Sequence, residues 1–177
     1  MTTTQKIFSF DGRLRRRDYW LISIGIGVFV MIVTEILMLT IFGPSYSVFG
    51  QGPNAYMVRS ESLEAFTLQT ALSLLTFWPA LAISAKRAHD RNHSARLVVS
   101  LTVLVFFLSY APTFFWMFYP GNPNEPGLVI VSLGVSLLSL IASIYLLVVV
   151  GFLDGTPGIN RYGPSPKHPD SDVEVFN

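Results

Sequence analysis

Apolar residues gather into four long runs along the chain. They extend from about Tyr19 to Phe42, Ala65 to Ala85, Leu97 to Phe118 and Leu128 to Leu153. A bilayer core is crossed by about 20 mostly apolar residues in a helix. Backbone polar groups in lipid must be satisfied within the segment, so each run predicts a transmembrane helix. The pattern therefore predicts an all-α fold, an integral membrane four-helix bundle forming a single domain over residues 1–177. The links read differently. Gly43 to Glu64 is rich in Gly, Ser, Pro and Asn, Tyr119 to Gly127 is a turn with three prolines, and Lys86 to Arg96 is short, polar and basic. The tail 154–177 carries four prolines and three glycines and predicts irregular structure docked near the membrane, then frayed.

Composition sharpens this picture. Apolar residues make up 51% of the 177 residues and charged residues only 13%. A soluble domain carries about 25% charged residues, so the deficit points to a lipid-facing surface. The net charge of +1 gives no reason to expect a nucleic-acid partner. Cysteine is absent, which excludes disulfides, thiolate metal sites and cysteine nucleophiles.

The placement of charge is more informative than its sum. The segment FSFDGRLRRRDYW, residues 8–20, puts four arginines beside an aromatic pair just before the first run. Eleven of the twelve basic residues fall in the N-terminal segment, the Lys86–Arg96 link and the tail, and only Arg59 lies in the alternate links. With four spans, those three segments share one side. Lys and Arg accumulate on the cytoplasmic side, so both termini are expected there. A cleaved signal peptide would have an apolar core of about 7–15 residues and a small-residue cleavage site; the first run is longer and lacks that site. The Arg16-Arg17 pair resembles a twin-arginine signal only superficially, because an anchor-length span follows. Tyr19 and Trp20 suit the inner interface, and Tyr110, Trp116 and Tyr119 the outer one.

Polar residues inside the spans suggest how they pack. Ser132, Ser136, Ser139 and Ser143 are spaced to share one helix face, a packing seam or, alternatively, a polar lining. Ser23, Gly27 and Thr34 form a sparser stripe, which places the first and fourth spans inside the bundle. Pro79 and Pro112 predict kinks in the second and third spans. Glu35 is the acidic residue within a span, a structural or interfacial group or one element of a transport path.

Three polar segments fall on the same expected side: FDGRLRRRDYW, AKRAHDRNHSA and DGTPGINRYGPSP. Together they resemble the bacterial membrane family called domain of unknown function 805. The resemblance rests on Phe10, Gly12, Arg13, Arg16, Tyr19 and Trp20 before the first span. It continues with Arg87, His89, Asp90 and Ser94 in the middle link. It ends with Gly155, Thr156, Gly158, Asn160, Arg161, Tyr162, Gly163 and Pro164 after the last span. It implies a multi-pass protein of the bacterial inner membrane and no particular activity. The family segment after His-Asp often resembles Gly-Arg-Ser-Gly-Trp. Here Asn92 stands in the glycine position, where Asn can still adopt the left-handed conformation.

Candidate chemistry is sparse. His89 and His93 have helical zinc-site spacing, but Asp90 replaces the usual Glu, and Lys86, Arg87 and Arg91 disfavour a cation. His89 with Asp90 could act in acid–base chemistry or, more simply, brace a loop. The glycines of GTPGINRYGP lack the Lys-Ser/Thr pair of a phosphate loop and instead suggest a tight turn presenting Arg161 and Tyr162. The expectation is a converged cytoplasmic cap. In it Asp11, Asp18, Asp90 and Asp154 pair with Arg13, Arg16, Arg87 and Arg161, and surplus arginines meet lipid phosphates. The cap residues are Arg13, Arg16, Tyr19, Trp20, Arg87, His89, Asp90, Asn160, Arg161 and Tyr162. The expected function is a non-enzymatic interaction module without metal or cofactor. Its partners would be membrane lipids, a membrane protein or a second copy of the chain. The alternative is a small transporter or channel component using Glu35 and the serine stripe. An enzyme built on His89 and Asp90 comes third.

Overall fold

A computed structural model describes residues 2–43, 46–49, 56–59, 62–118 and 125–167. Its helices are α1 (Thr3–Phe8), α2 (Arg16–Ile41), α3 (Leu63–Asp90), α4 (Arg96–Phe118) and α5 (Pro126–Leu146). The last continues as a π-turn over Leu147–Phe152. Four helices are long and apolar enough to cross a membrane, with mean hydropathy between 1.4 and 2.6. The four-span membrane fold expected from the hydrophobic pattern is therefore the one observed. Only 6–17% of the residues in those spans are buried. Side chains such as Leu21, Leu133, Leu137 and Ile141 point outward, as lipid-facing side chains do.

The boundaries differ from the hydrophobic runs in instructive ways. α3 has 28 residues, about 42 Å of helix against a hydrocarbon core of about 30 Å. The sequence KRAHD, expected in a link, forms its last turn instead. Pro79 and Pro112 lie inside α3 and α4, which run through them. The Gly43–Glu64 link contains two strands, β1 (Tyr46–Phe49) and β2 (Tyr56–Arg59). They pair antiparallel, with Tyr46 opposite Arg59 and Phe49 opposite Tyr56. Most of the Tyr119–Gly127 turn, the Trp116 and Tyr119 side chains and the tail beyond Lys167 lie outside the described residues.

The chain packs as two compact units, Ile24–Phe77 and Met1–Ser23 with Trp78–Asn177. In the second of these, α4 packs on α5. Ser139 Oγ meets Ser109 Oγ of α4 at 3.3 Å, and Ser143 Oγ donates to Ser139 O at 2.8 Å. At Ser139 the serine stripe is thus a seam with α4, the third span. Ala88, Val98 and Val150 form a small core, flanked by Tyr19 and Leu146, that joins the ends of four helices. All three polar motifs belong to this unit.

Candidate functional site

α3 ends because the backbone turns left-handed at Asn92 (φ 59°). Asn92 N–H donates to His89 O at 3.0 Å and His93 N–H to Ala88 O at 3.0 Å. This pair of bonds is the Schellman closure of a helix. Asn92 therefore adopts the left-handed conformation expected of it. The closure also puts His93, which is exposed, beyond the helix end, so His89 and His93 do not share a helical face. Among the described residues no three His, Asp or Glu side chains cluster as metal ligands would.

Just before this closure sits Asp90, only 3% exposed. Its Oδ1 accepts from Arg13 Nε at 3.1 Å and its Oδ2 from Arg87 Nη1 at 2.6 Å. Arg13 is 5% exposed and Arg87 fully buried. Two buried cations share one anion, so the remaining charge must be met by dipoles. Backbone carbonyls supply them. Arg13 Nη1 donates to Gly158 O (2.7 Å) and Gly163 O (3.1 Å), and its Nη2 to Thr156 O. Arg87 donates to Val150 O (2.9 Å), Leu14 O (3.1 Å) and Leu153 O (2.7 Å).

Two of these carbonyls, Val150 O and Leu153 O, belong to the end of the fourth span, where such groups are free to accept. The last carbonyls of a helix lack intrahelical partners and carry the negative end of its dipole. Here five consecutive ones each take a side-chain donor. Val149 O accepts from Arg91 (3.3 Å) and Val150 O from Arg87. Gly151 O accepts from Trp20 Nε1 (3.0 Å). Phe152 O accepts from Arg16 (3.0 Å) and Leu153 O from Arg87. The N-terminal and middle motifs thus finish the end of the fourth span.

Two glycines permit the close packing. A Cβ at Gly151 would lie 2.8 Å from Trp20 Cζ2. A Cβ at Gly155 would land on the Asp90 carboxylate. The third motif is tied on through Asp90 O, which accepts from Thr156 N–H (2.8 Å) and Thr156 Oγ1 (3.1 Å). Asn160 Nδ2 donates to His89 O (3.0 Å) and to Thr156 Oγ1 (3.0 Å), and its Oδ1 accepts from Tyr162 N–H (2.9 Å). Tyr162 stacks on His89 with ring centroids 3.8 Å apart, and the Arg161 guanidinium lies over the Tyr162 ring, 4.7 Å from its centroid. His89 Nδ1 is 3.3 Å from Gly12 O.

The ten cap residues therefore meet, but in two roles. Arg13, Arg87, His89, Asp90 and Asn160 are engaged inside, Tyr162 stacks on His89, Trp20 packs against the π-turn, and Tyr19 flanks the core. Arg16 and Arg161 are exposed on the outside. The expected ion pairs hold for Asp90 with Arg13 and Arg87, and for Asp154 with Arg16 (3.5 Å). Asp18 instead pairs with Lys6 at 2.9 Å, and Arg161 meets an aromatic ring. Lys86 was missed as a cap residue. It is fully buried, and its Nζ donates to Gln5 O (2.8 Å) and Lys6 O, the carbonyls at the end of α1. Arg15 was also missed: its Nη2 donates to Pro166 O. Its place in the arginine run was the available signal.

Arg15 and Arg17 stand between two clefts. The larger, about 500 Å³, is bounded by Lys6, Arg15, Arg17, Asp18, Tyr162 and Pro166. The smaller, about 220 Å³, is formed by Arg15, Arg16, Arg17, Asp154 and Lys167.

The family model for "Protein of unknown function (DUF805)" matches residues 7–164, from the α1 segment to the end of the third motif. The chain belongs to the DUF805 family. The DUF805 match thus covers both units and every residue of the lock around Asp90. The chain is similar to the uncharacterized protein YiiR of Escherichia coli K12, with 31% identity over 164 residues, 92% of this chain and 89% of the relative. The YiiR protein of Escherichia coli O157:H7 shows the same identity and coverage. No solved structure matches.

Proposed function

We propose that this DUF805 protein is a non-enzymatic interaction module of the bacterial inner membrane. Both termini lie on the cytoplasmic side, where an arginine-rich face engages anionic lipid headgroups. The observation that carries this reading is the division of labour among the cations. The buried arginines are satisfied by Asp90 and backbone carbonyls. Outside them Arg16, Arg17 and Lys167 keep side chains 48%, 75% and 56% exposed, close to where α2 begins. Guanidinium groups at that depth match headgroup phosphates in shape and charge. Eleven of the twelve basic residues sit in the three segments assigned to the cytoplasm, which supports that orientation.

A catalytic role for His89 and Asp90 has less support. The carboxylate is held by two arginines and the imidazole is stacked on Tyr162. The transport reading is weakened at the serine stripe, because Ser139 and Ser143 are hydrogen-bonded within the helix pair. The proposal is tested by native mass spectrometry of protein extracted gently from its own membrane. Anionic lipid adducts are expected on the wild type and absent from Arg16→Gln/Arg17→Gln. Equal adducts on both proteins would overturn the reading. A retained protein partner or second copy, lost in the variant, would assign the face to that partner instead.

A further inference from the structure

The two clefts beside the cap share a wall. Arg15 and Arg17 line both. Of these two clefts, Lys6 lines only the larger, and Arg16 and Lys167 only the smaller; Lys167 also borders a third cleft beside Asp90 and Gly155. Arg13 also lines the larger cleft, but its charge is already engaged by Asp90. The other charged side chains of the two clefts are five cations and two carboxylates, Asp18 and Asp154, an excess of three positive charges. Asp18 is held by Lys6 at 2.9 Å, and Asp154 lies 3.5 Å from Arg16 and 3.7 Å from Lys167. Among the described residues the shared wall therefore carries cations in excess of the carboxylates beside it. Arg17 reaches a carboxylate only at 3.9 Å, and its side chain is 75% exposed.

A single phosphate seated in one cleft would leave the cations of the other unmet. Two phosphates joined by a short linkage would place one group in each cleft, with the two arginines between them. We propose that this site binds a ligand carrying two linked phosphate groups, each seated in one cleft and bridged by Arg15 and Arg17. This rests on the reading of the arginine face as a headgroup site and narrows it to one headgroup class. A guanidinium can donate from two edges, so Arg17 can serve both phosphates at once, which an ammonium point charge does less well. The chemistry is common to a lipid with two phosphates and to free diphosphate, and the experiment separates them.

The test uses full-length protein in detergent micelles, with ligand occupancy read by native mass spectrometry. The probes are a diphosphatidylglycerol lipid, a phosphatidylglycerol lipid at twice the concentration, and inorganic diphosphate. The expected result is at least a tenfold preference for the two-phosphate lipid over the one-phosphate lipid. That preference falls to about twofold or less in Arg17→Gln and in Lys167→Gln, while the melting temperature of both variants stays at the wild-type value. Lys167→Gln is informative because, of the two phosphate clefts, it removes a cation from the smaller and leaves the larger unchanged. Comparable occupancy by the two lipids, unaffected by Lys167→Gln, would overturn the two-phosphate inference while leaving the headgroup reading intact. No retention of either lipid would overturn both. Tight binding of inorganic diphosphate, with neither lipid able to displace it, would keep the paired-phosphate site and assign it to a free ligand.

Discussion

Replacing Asp90 by Asn is the sharpest perturbation of the cap. The carboxylate is 3% exposed and faces two guanidinium groups at 3.1 and 2.6 Å. The amide is nearly the same size, so packing is preserved while the charge is removed. Two buried cations then keep only carbonyl partners, and the amide nitrogen must point a donor at one of them. Breaking a buried ion pair by removing one partner costs about 3–5 kcal/mol. For a chain of this length each kcal/mol moves the melting temperature by about 2–4 °C, so a fall of roughly 6–20 °C is expected. Thermal unfolding in micelles can be followed by tryptophan fluorescence. Trp20 and Trp78 report on the cap, being hydrogen-bonded to Gly151 O (3.0 Å) and Phe8 O (3.2 Å). The double variant Asp90→Asn/Arg13→Met provides an internal check. Removing the stranded cation must cost less in the Asn background than alone, a coupling of about 1 kcal/mol or more. A shift below about 2 °C in Asp90→Asn, or strict additivity in the double variant, would refute the view that this carboxylate holds the motifs together.

Other substitutions probe the lock at separate points. Gly155→Ala forces a methyl group into the Asp90 carboxylate and is expected to destabilise by about 1–3 kcal/mol, read in the same melt. Asn92→Gly is expected to leave the melting temperature within a degree or two or raise it slightly, whereas Asn92→Val loses about 1–2 kcal/mol, because only the latter resists the left-handed backbone. Trp20→Phe keeps an aromatic side chain but removes the donor to Gly151 O and part of the indole packed on Gly151, an expected loss of about 1 kcal/mol or more that a normal melt would contradict.

The four spans were legible because a lipid-crossing helix is written in contiguous residues. The end of the second span was not. Lys86 and Arg87 read as polar link residues, yet both are fully buried. Apart from Asp90, their acceptors are the backbone oxygens Gln5 O, Lys6 O, Leu14 O, Val150 O and Leu153 O, separated from them by 63 to 81 positions. No local pattern announces such partners. The motif resemblance brought the right segments together, and the shortage of carboxylates beside the arginines hinted that something else neutralises them. It could not show that backbone carbonyls do so, because LVVVGF reads as ordinary apolar span and carries no sign of its π geometry. The strands YSVF and YMVR were likewise hidden in a link noted for Gly and Pro. For Arg16, the sequence spoke first for topology and only secondarily for headgroup binding, and the structure adds a third task at Phe152 O.

That contact joins positions 136 residues apart, and the acceptor is the later of the two to be synthesised. At about 5–20 residues per second, roughly 7–27 s of translation separate Arg16 from Phe152. In the orientation proposed above, the N-terminal arginines spend that interval without their final acceptors, with their charge available to hold the chain's start in the cytoplasm. When the fourth helix emerges, its terminal carbonyls take up Arg16 and Arg87, and the third motif then covers Arg13. The same side chains thus serve in succession, first as a brake on translocation and then as the clasp that closes the finished protein.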